Sequence, residues 1–319
     1  MNFLRFSPIK GSETSFTPQP VLILGTGALA TLFAARLSAS GVPVTLLGTW
    51  KEGLEALQRD GARLILEDGS QVSAPVRATD DPSACKGAQF ALVLVKAWQT
   101  ERAAAQLKEC LSDDGLAVSL QNGLDNREML TRFLGESRVG LGVTTYGATL
   151  LGPGLARAGG EGEVAVETHP RLGTLEHLLN GAGFRVDIVP DARALVWGKL
   201  VVSTAINPLT ALLGVPNGAL LERPGARTVM AELAHETAAV AEALGVELPF
   251  VDAVAAVEQV ARQTAANHSS MLQDVQRGAQ TEIDAICGAV TRMGETAGVP
   301  VTVNRVMWHL IGAFASNMR

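Results

Sequence analysis

Cysteine, basic runs and long apolar segments are all scarce in this sequence. Its 319 residues include only three cysteines, which are odd in number and lie far apart. This pattern excludes a disulfide framework and predicts a reduced, cytoplasmic protein. The five histidines show no metal-ligand spacing with one another or with cysteine, so no metal site is expected. No apolar run reaches the roughly 18 residues that a membrane span requires, so no membrane partner is expected.

A surface that would attract nucleic acid is also missing. The formal net charge is -6 and no strongly basic run occurs, so no nucleic-acid partner is expected. Hydrophobic residues make up 47% of the chain, which excludes a disordered protein. The length allows one large or two medium domains with a substantial core. The polar segment of residues 1–20 has no long apolar core like that of a secretory signal, and we predict a mobile extension there.

A glycine-rich turn follows the first apolar run. Residues Val21 to Leu24 are typical of a central parallel strand, and Thr31 to Ser40 predict a helix. Between them stands the sequence Gly25-Thr26-Gly27-Ala28-Leu29-Ala30. This is the G-x-G-x-x-G/A pattern, in which Gly25 permits a tight turn, Gly27 admits a pyrophosphate and the helix start attracts phosphates. The pattern predicts a dinucleotide site, and a glycine turn in an unrelated α/β domain is the alternative.

The second predicted strand, Val44 to Leu47, ends without the acidic residue that usually holds the ribose 2′-OH of NAD. The hydroxyl of Thr49 and the cation of Lys51 follow instead and favour NADP. They favour it more weakly than an arginine would, because only arginine offers a planar fork to a phosphate. A solvated loop in which Trp50 merely packs is the alternative.

Polar side chains recur where later predicted strands end. Lys96 follows the run Phe90 to Val95, and Asn122 follows the run Ala117 to Leu120. Ligands bind at this end of the strands in open α/β sheets. A solvated loop lysine and an ordinary Asn-Gly turn are the respective alternatives. The glycines between residues 152 and 162 predict irregular chain.

Strand patterns stop near Pro190, and long helical patterns follow, including one over Gln276 to Gly294. The sequence therefore predicts an α/β protein: a doubly wound Rossmann-type domain over residues 21–190, then an all-α domain over residues 191–319. A cleft between two such domains is a common place for a small-substrate site.

One predicted helix of the second domain carries three polar residues on one face. Lys199, Ser203 and Asn207 stand at i, i+4 and i+8, and four-residue steps drift by only ~40° around a helix. A lysine there either snorkels to the surface or lies at a cleft, and its two polar neighbours favour a cleft. Pro208 has no N–H for the carbonyl of Thr204, which predicts a kink or an end of the helix.

Motifs in both predicted domains resemble those of the ketopantoate reductase family, in the same order over nearly all of the chain after Pro20. The motifs are Gly25 to Ala30, Lys96-Ala97-Trp98, Gln121-Asn122-Gly123, Lys199-Leu200, Ile206-Asn207-Pro208-Leu209-Thr210-Ala211, Pro216-Asn217-Gly218, Ser269-Ser270-Met271-Leu272-Gln273-Asp274 and Thr281-Glu282-Ile283-Asp284. The resemblance implies a Rossmann domain, a helical domain and NADPH in the cleft between them. It also implies reduction of the 2-oxo acid ketopantoate to pantoate, in pantothenate biosynthesis.

The resemblance also implies roles for single residues. Lys199 matches the general acid, and Glu282 supports the catalytic network; if close, it would orient the Lys199 ammonium and raise its pKa, whereas burial would lower it. The substrate positions are Asn122, Lys199, Ser203, Asn207, Asn217 and Ser270. The cofactor positions are the residues Gly25 to Ala30, Thr49, Lys96, Asn122, Ala148 and Glu282. Asn267 and Asp274 match supporting positions.

Two residues depart from the family pattern. Ser203 stands where the best-known members have asparagine, so one substrate hydrogen bond becomes shorter, water-mediated or absent. Thr49 stands where an arginine often meets the 2′-phosphate, which weakens the expected preference for NADP. Two alternatives stay open: a reductase of another 2-oxo acid, and a non-catalytic NADPH-binding regulator. The oligomeric state is open as well, with a homodimer among the options.

Overall fold

The computed structural model describes residues 19–316, so residues 1–18 of the expected mobile extension lie outside the described part. Twelve strands occur in that part. They are β1 (Val21–Leu24), β2 (Val44–Leu47), β3 (Ala62–Ile65), β4 (Gln71–Ala74), β5 (Arg77–Thr79), β6 (Ala88–Val93), β7 (Leu111–Ser119), β8 (Val139–Thr144), β9 (Ala148–Gly152), β10 (Leu155–Ala158), β11 (Val164–Glu167) and β12 (Val186–Val189).

Eleven α-helices occur in the same described range. They are α1 (Ala28–Ala39), α2 (Lys51–Asp60), α3 (Thr100–Cys110), α4 (Asn126–Leu134), α5 (Leu172–Gly181), α6 (Arg193–Leu213), α7 (Pro224–Ala243), α8 (Ala253–Gln263), α9 (Ser270–Gln276), α10 (Ala289–Ala297) and α11 (Thr302–Ser316). The strands all precede α6, so the chain consists of an α/β part followed by a helical part.

Eight strands form one mixed sheet in the order β12-β11-β8-β7-β6-β1-β2-β5. The pairs from β5 to β8 are parallel, and β11 pairs antiparallel with β8. The central strand β1 is buried along its whole length, because helices cover both faces of the sheet, and it therefore reads as a continuous apolar run. The expected doubly wound architecture is confirmed.

A second sheet, in the order β4-β3-β10-β9, packs against α1. The prediction of irregular chain between residues 152 and 162 is wrong at its start, where β10 continues from β9 through a turn at Gly154 with φ +64°. Glycine makes this left-handed turn without steric cost. β10 also pairs in parallel with β3, Leu155 opposite Arg63, and no local sequence pattern indicates a partner so far upstream.

The helix α6 runs through the middle of the helical part and contacts α7, α8 and α9. Of the two outcomes predicted at Pro208, a kink or an end of the helix, the end is wrong, because the helix continues to Leu213. The hydroxyl of Thr210 donates to the carbonyls of Ile206 and Asn207, 2.9 and 3.0 Å away, and so binds the backbone beside the proline. By length and composition α6 is apolar enough to cross a membrane, but 67% of its apolar window is buried inside the protein, as in a core helix.

The helix predicted over Gln276 to Gly294 is interrupted. α9 ends at Gln276, and Gly278 then adopts φ +64°, a left-handed conformation that ends the helix. Helical turns resume with a π-helical segment, Asp284–Gly288, in which the N–H of Gly288 donates to the carbonyl of Ile283 over 3.0 Å. Such segments are rare and often lie at functional sites. The break presents Glu282 beside the sheet.

Candidate functional site

One cavity of about 730 Å³ separates the carboxyl ends of the sheet strands from the helical part. Most of the predicted site residues line it. They are Gly25, Thr26, Gly27, Ala28, Leu29, Thr49, Lys96, Asn122, Ala148, Lys199, Ser270 and Glu282. Ala30 lies behind this wall, fully buried in the core, as expected of a small residue that lets α1 approach the sheet. Residues from both ends of the sequence therefore meet at one edge of the sheet.

The glycine loop fits the phosphates of a dinucleotide. Gly25 has φ +122°, and an ideal Cβ there would lie 3.2 Å from the backbone of Leu94, so glycine suits this turn. No described atom lies within 4 Å of an ideal Cβ at Gly27, so a ligand can approach its backbone. Among the described residues no side chain caps α1, and the first N–H groups of this helix remain available to an anion.

Lys199 reaches the cavity from α6. Its Nζ donates a hydrogen bond of 2.7 Å to the carbonyl of Thr144, at the carboxyl end of β8. Within residues 19–316 no carboxylate lies within salt-bridge distance of this ammonium, and Glu282 is bound to Lys96 instead. Burial lowers the pKa of Lys199 from 10.5 to about 8, although the negative charge of Glu282 acts in the opposite direction. An amine of this pKa can give up its proton near neutral pH.

Glu282 is the centre of a second group of contacts. Its Oε1 accepts from the backbone N–H of Ala97 at 3.0 Å, and its Oε2 accepts from Asn122 Nδ2 at 3.3 Å and from Lys96 Nζ at 3.4 Å. The carboxylate is 5% exposed, so these three donors replace the water that it gives up. All three donors belong to the α/β part, and Glu282 belongs to the helical part.

Lys96 is the partner of two buried carboxylates. Its Nζ lies 2.7 Å from Asp274 Oδ2 on α9 and 3.4 Å from Glu282 Oε2. Burial acts to lower the pKa of Lys96, but the charges of Glu282 and Asp274 outweigh it and hold the pKa above its ordinary value. Asp274 also accepts from Arg277 at 2.8 Å. Both effects expected on the pKa of Lys199 are present: the charge of Glu282 raises it and burial lowers it, and burial prevails, while Glu282 hydrogen-bonds Lys96.

Three residues expected to bind substrate lie outside the cavity wall. Ser203 is buried in α6, and Asn207, one turn further on, is half-buried. Asn217 is 8% exposed, and its Nδ2 donates to Thr264 Oγ1 at 2.9 Å. Its Oδ1 is buried and has no hydrogen-bond partner among the described residues. The backbone N–H of Asn217 donates to the carbonyl of Asn267 over 3.0 Å, and Asn267 does line the cavity.

Among the cations of the cavity wall that sequence reasoning missed are Arg102 on α3 and Arg157 on β10. Neither has a carboxylate partner within salt-bridge distance in the described part of the chain, so both remain free to meet an anion. No motif indicates Arg102, and Arg157 falls in the stretch predicted to be irregular. Assigning a strand to that stretch would have been the signal for Arg157. Ser269 caps the start of α9, because its hydroxyl accepts from the N–H of Leu272 at 3.1 Å.

Comparison with known proteins identifies both halves of the chain. Residues 21–171 match the family model described as ketopantoate reductase PanE/ApbA, and residues 191–315 match the model of its C-terminal region. A 2-dehydropantoate 2-reductase of Archaeoglobus fulgidus is 37% identical over 305 residues, which cover 94% of this chain and 99% of that relative.

Solved structures give the same result. A PanE/ApbA family ketopantoate reductase from Ralstonia eutropha has a TM-score of 0.87 at 32% identity, covering 94% of this chain and 99% of the other. A D-mandelate dehydrogenase solved with NADH and anilino(oxo)acetate has a TM-score of 0.86 with the same coverage. At 24% identity the second similarity extends to the fold alone.

Proposed function

The chain belongs to the ketopantoate reductase family, and we propose that it is a 2-dehydropantoate 2-reductase that reduces ketopantoate to pantoate with NADPH. The observation that carries the proposal is the buried ammonium of Lys199 in the cavity between the glycine loop and the helical part. An enzyme of this biosynthetic class works in the cytoplasm, and we assign the chain to that compartment.

The reaction needs a hydride and a proton. The nicotinamide supplies the hydride to the 2-oxo carbon when it is bound. Negative charge then develops on the carbonyl oxygen, where the ammonium of Lys199 stabilises it and donates the proton. The carbonyl of Thr144 accepts one N–H of Lys199, which leaves the other two N–H groups for a bound substrate in the proposal. The lowered pKa favours this transfer, because a weaker hold on the proton eases donation.

Three features of the cavity wall support NADPH as the cofactor. The end of β2 carries Thr49 and no carboxylate to hold a free ribose 2′-OH. The glycine loop and the start of α1 offer backbone N–H groups to the pyrophosphate. Arg102 and Arg157 add two cations without an ion-pair partner among the described residues, which favours the extra phosphate of NADPH. Lys51, the other cation expected here, lies outside the cavity wall and is 84% exposed.

Polar residues around Lys199 suit a short hydroxylated 2-oxo acid. Ser270 and Asn122 line the cavity, and the buried Oδ1 of Asn217 can accept a hydrogen bond from the substrate hydroxyl. A buried acceptor without a donor costs about 1–3 kcal/mol, which a bound hydroxyl would recover. Ser203 and Asn207 lie on the same helix face as Lys199 and complete the substrate side in the proposal.

The test measures NADPH oxidation with ketopantoate and with analogues that differ by one group. 3,3-Dimethyl-2-oxobutanoate lacks only the 4-hydroxyl, and we expect its kcat/KM to be at least about tenfold lower, because a site built for a hydroxyl rejects its absence. Phenylglyoxylate and 2-oxoisovalerate complete the panel. A higher kcat/KM on phenylglyoxylate or 2-oxoisovalerate than on ketopantoate would assign another 2-oxo acid as the substrate. If no member of the panel causes NADPH oxidation, the alternative of a non-catalytic NADPH-binding regulator would stand.

A further inference from the structure

A backbone hydrogen bond joins the two parts of the chain beside Asn122 and Glu282. Asn122 lies in the loop between β7 and α4, and Glu282 lies just before the π-helical segment. In the same loop the N–H of Leu124 donates to the carbonyl of Ala285, in the first turn of that segment, over 3.3 Å. One hydrogen bond thus joins the backbones that carry the two site residues.

Gly123 allows this approach. Its φ is +84°, and an ideal Cβ there would lie 2.5 Å from the carbonyl oxygen of Ala285 and 2.8 Å from its Cβ. Real Cβ atoms do not come so close to backbone, so any side chain at position 123 would push the π-helical segment away. The distance between the loop and the segment therefore depends on glycine at this position.

The loop itself is anchored on the α/β side. Gln121 Nε2 donates to the carbonyl of Val95 at 3.0 Å, and Asn126 Nδ2 donates to the carbonyl of Asn122 at 3.0 Å. With the loop held from behind, a side chain at position 123 would displace the helical part instead of the loop. Glu282 would then move away from Asn122 Nδ2, which is 3.3 Å distant.

We propose that Gly123 is a positioning residue, whose contact with Ala285 sets the spacing of Asn122, Lys96 and Glu282 across the cavity. The inference rests on the function proposed above, since these three residues surround the proposed reaction site. Gly123 touches neither substrate nor cofactor in this proposal, and it acts through the backbone of Ala285.

The chain provides a matched control for the test. Gly135 has φ +83°, nearly the same as Gly123, but no described atom lies within 4 Å of its ideal Cβ. Gly135→Ala therefore adds the same left-handed strain without the collision. We expect Gly123→Ala to lower kcat at least about tenfold and to raise KM for NADPH, because Lys96, Asn122 and Glu282 are also cofactor positions, and Gly135→Ala to keep the wild-type values of both. Equal kcat values for the two variants would overturn the proposal.

A second variant approaches the same gap from the helical side. Ala285→Val enlarges the residue opposite Gly123 and should reproduce the loss of kcat if Gly123→Ala does not fold. Hydrogen exchange at the Leu124 amide gives a readout that needs no substrate. We expect slow exchange in the wild type and faster exchange in both Gly123→Ala and Ala285→Val. Slow exchange in all three proteins would overturn the contact. If the wild type does not reduce ketopantoate but the three proteins show this exchange pattern, only the proposed function would be contradicted.

Discussion

Two lysines enter the same cavity from opposite parts of the protein, and their surroundings differ. Lys96 comes from the α/β part and reaches two carboxylates of the helical part, Asp274 and Glu282. Lys199 comes from the helical part and reaches a neutral carbonyl of the α/β part, that of Thr144. Each part of the chain thus contributes a lysine that contacts the other part, but of the two lysines only Lys96 forms ion pairs with carboxylates.

The difference separates a fixed charge from a titrating one. Both ammonium groups are largely buried, and burial alone lowers the pKa of a lysine. Two carboxylates reverse that effect for Lys96, whereas the pKa of Lys199 falls to about 8. Lys96 therefore keeps its proton across the working pH range, and Lys199 can exchange one. A perturbed pKa in a cavity is a reason to assign acid–base chemistry to Lys199 and a structural role to Lys96.

The largest expected effect comes from removing the titrating lysine. Lys199→Ala should lower kcat by ~10²–10⁴-fold, because it removes the proton donor, while NADPH affinity and the melting temperature stay near the wild-type values. Lys108→Ala, which alters an exposed lysine on α3, serves as the matched control and should keep full activity. Steady-state kinetics and a cofactor titration measure both. Turnover near wild type in Lys199→Ala would remove this lysine from the mechanism.

The pH dependence should be next in size. The proposed mechanism requires protonated Lys199, so kcat/KM should fall as pH rises above about 8. In Glu282→Gln the nearby negative charge is lost while burial remains, so the pKa of Lys199 should fall further and the alkaline limb should move to lower pH. We also expect kcat to fall by only about tenfold, because the proton donor itself is kept. A pH–rate profile of each protein is the measurement, and an alkaline limb that stays in place would separate Glu282 from Lys199.

Stability should change in opposite directions when each lysine is replaced by methionine. Lys96→Met leaves two buried carboxylates short of a partner and should lower the free energy of unfolding by about 2 kcal/mol. Lys199→Met removes a poorly paired buried charge and should raise that free energy by about 1–2 kcal/mol at pH 7. Denaturant titration measures both changes. The same sign for the two variants would contradict the distinction between these sites.

The dependence of stability on pH follows from the same pKa directions. Because the pKa of Lys199 is lower in the folded state, the unfolded chain binds more protons between pH 8 and 10.5, and wild-type stability should rise through that window on account of Lys199. The pKa of Lys96 is raised, so its contribution is full below 10.5 and is lost above its folded pKa. The advantage of Lys199→Met over wild type should accordingly shrink as the pH approaches 10.5.

The smallest expected effect concerns Ser203, one turn along α6 from Lys199. Ser203→Asn restores the amide of the family pattern and should preserve or improve kcat/KM for ketopantoate, by up to ~1 kcal/mol. If the natural substrate is a bulkier 2-oxo acid, the added volume should reduce activity on it while activity on ketopantoate rises. Wild type and variant are compared on one substrate panel. No change on any substrate would place Ser203 away from the ligand.

Local patterns were sufficient for the fold and for the phosphate loop. The glycine turn, the apolar strand β1 and the position of Lys96 after β6 all follow from residues close together in sequence. The spacing of Lys199, Ser203 and Asn207 correctly put them on one helix, but only Lys199 reaches the cavity wall. Helical spacing fixes a face and not the depth of each side chain, which depends on the helices packed around α6.

Features that depend on distant partners were missed. β10 owes its strand conformation to β3 and β9, so the glycine-rich sequence around it indicated irregular chain, and Arg157 was overlooked with it. The ion pairs of Lys96 likewise join residues that no motif connects. Glu282 acts on Lys199 through its charge, whereas its hydrogen bonds go to Lys96 and Asn122.

The cross-domain pairs of Lys96 also bear on how the protein is made. Asp274 and Glu282 follow Lys96 by 178 and 186 positions, so most of the polypeptide separates the partners. During synthesis the α/β part leaves the ribosome first and folds as a unit. At that stage Lys96 lies at an open edge, because the segment that carries Asp274 and Glu282 has not yet been translated. A nascent chain can therefore present a finished glycine loop well before it has the proposed reaction centre, and any truncation before residue 274 leaves that centre without both carboxylates.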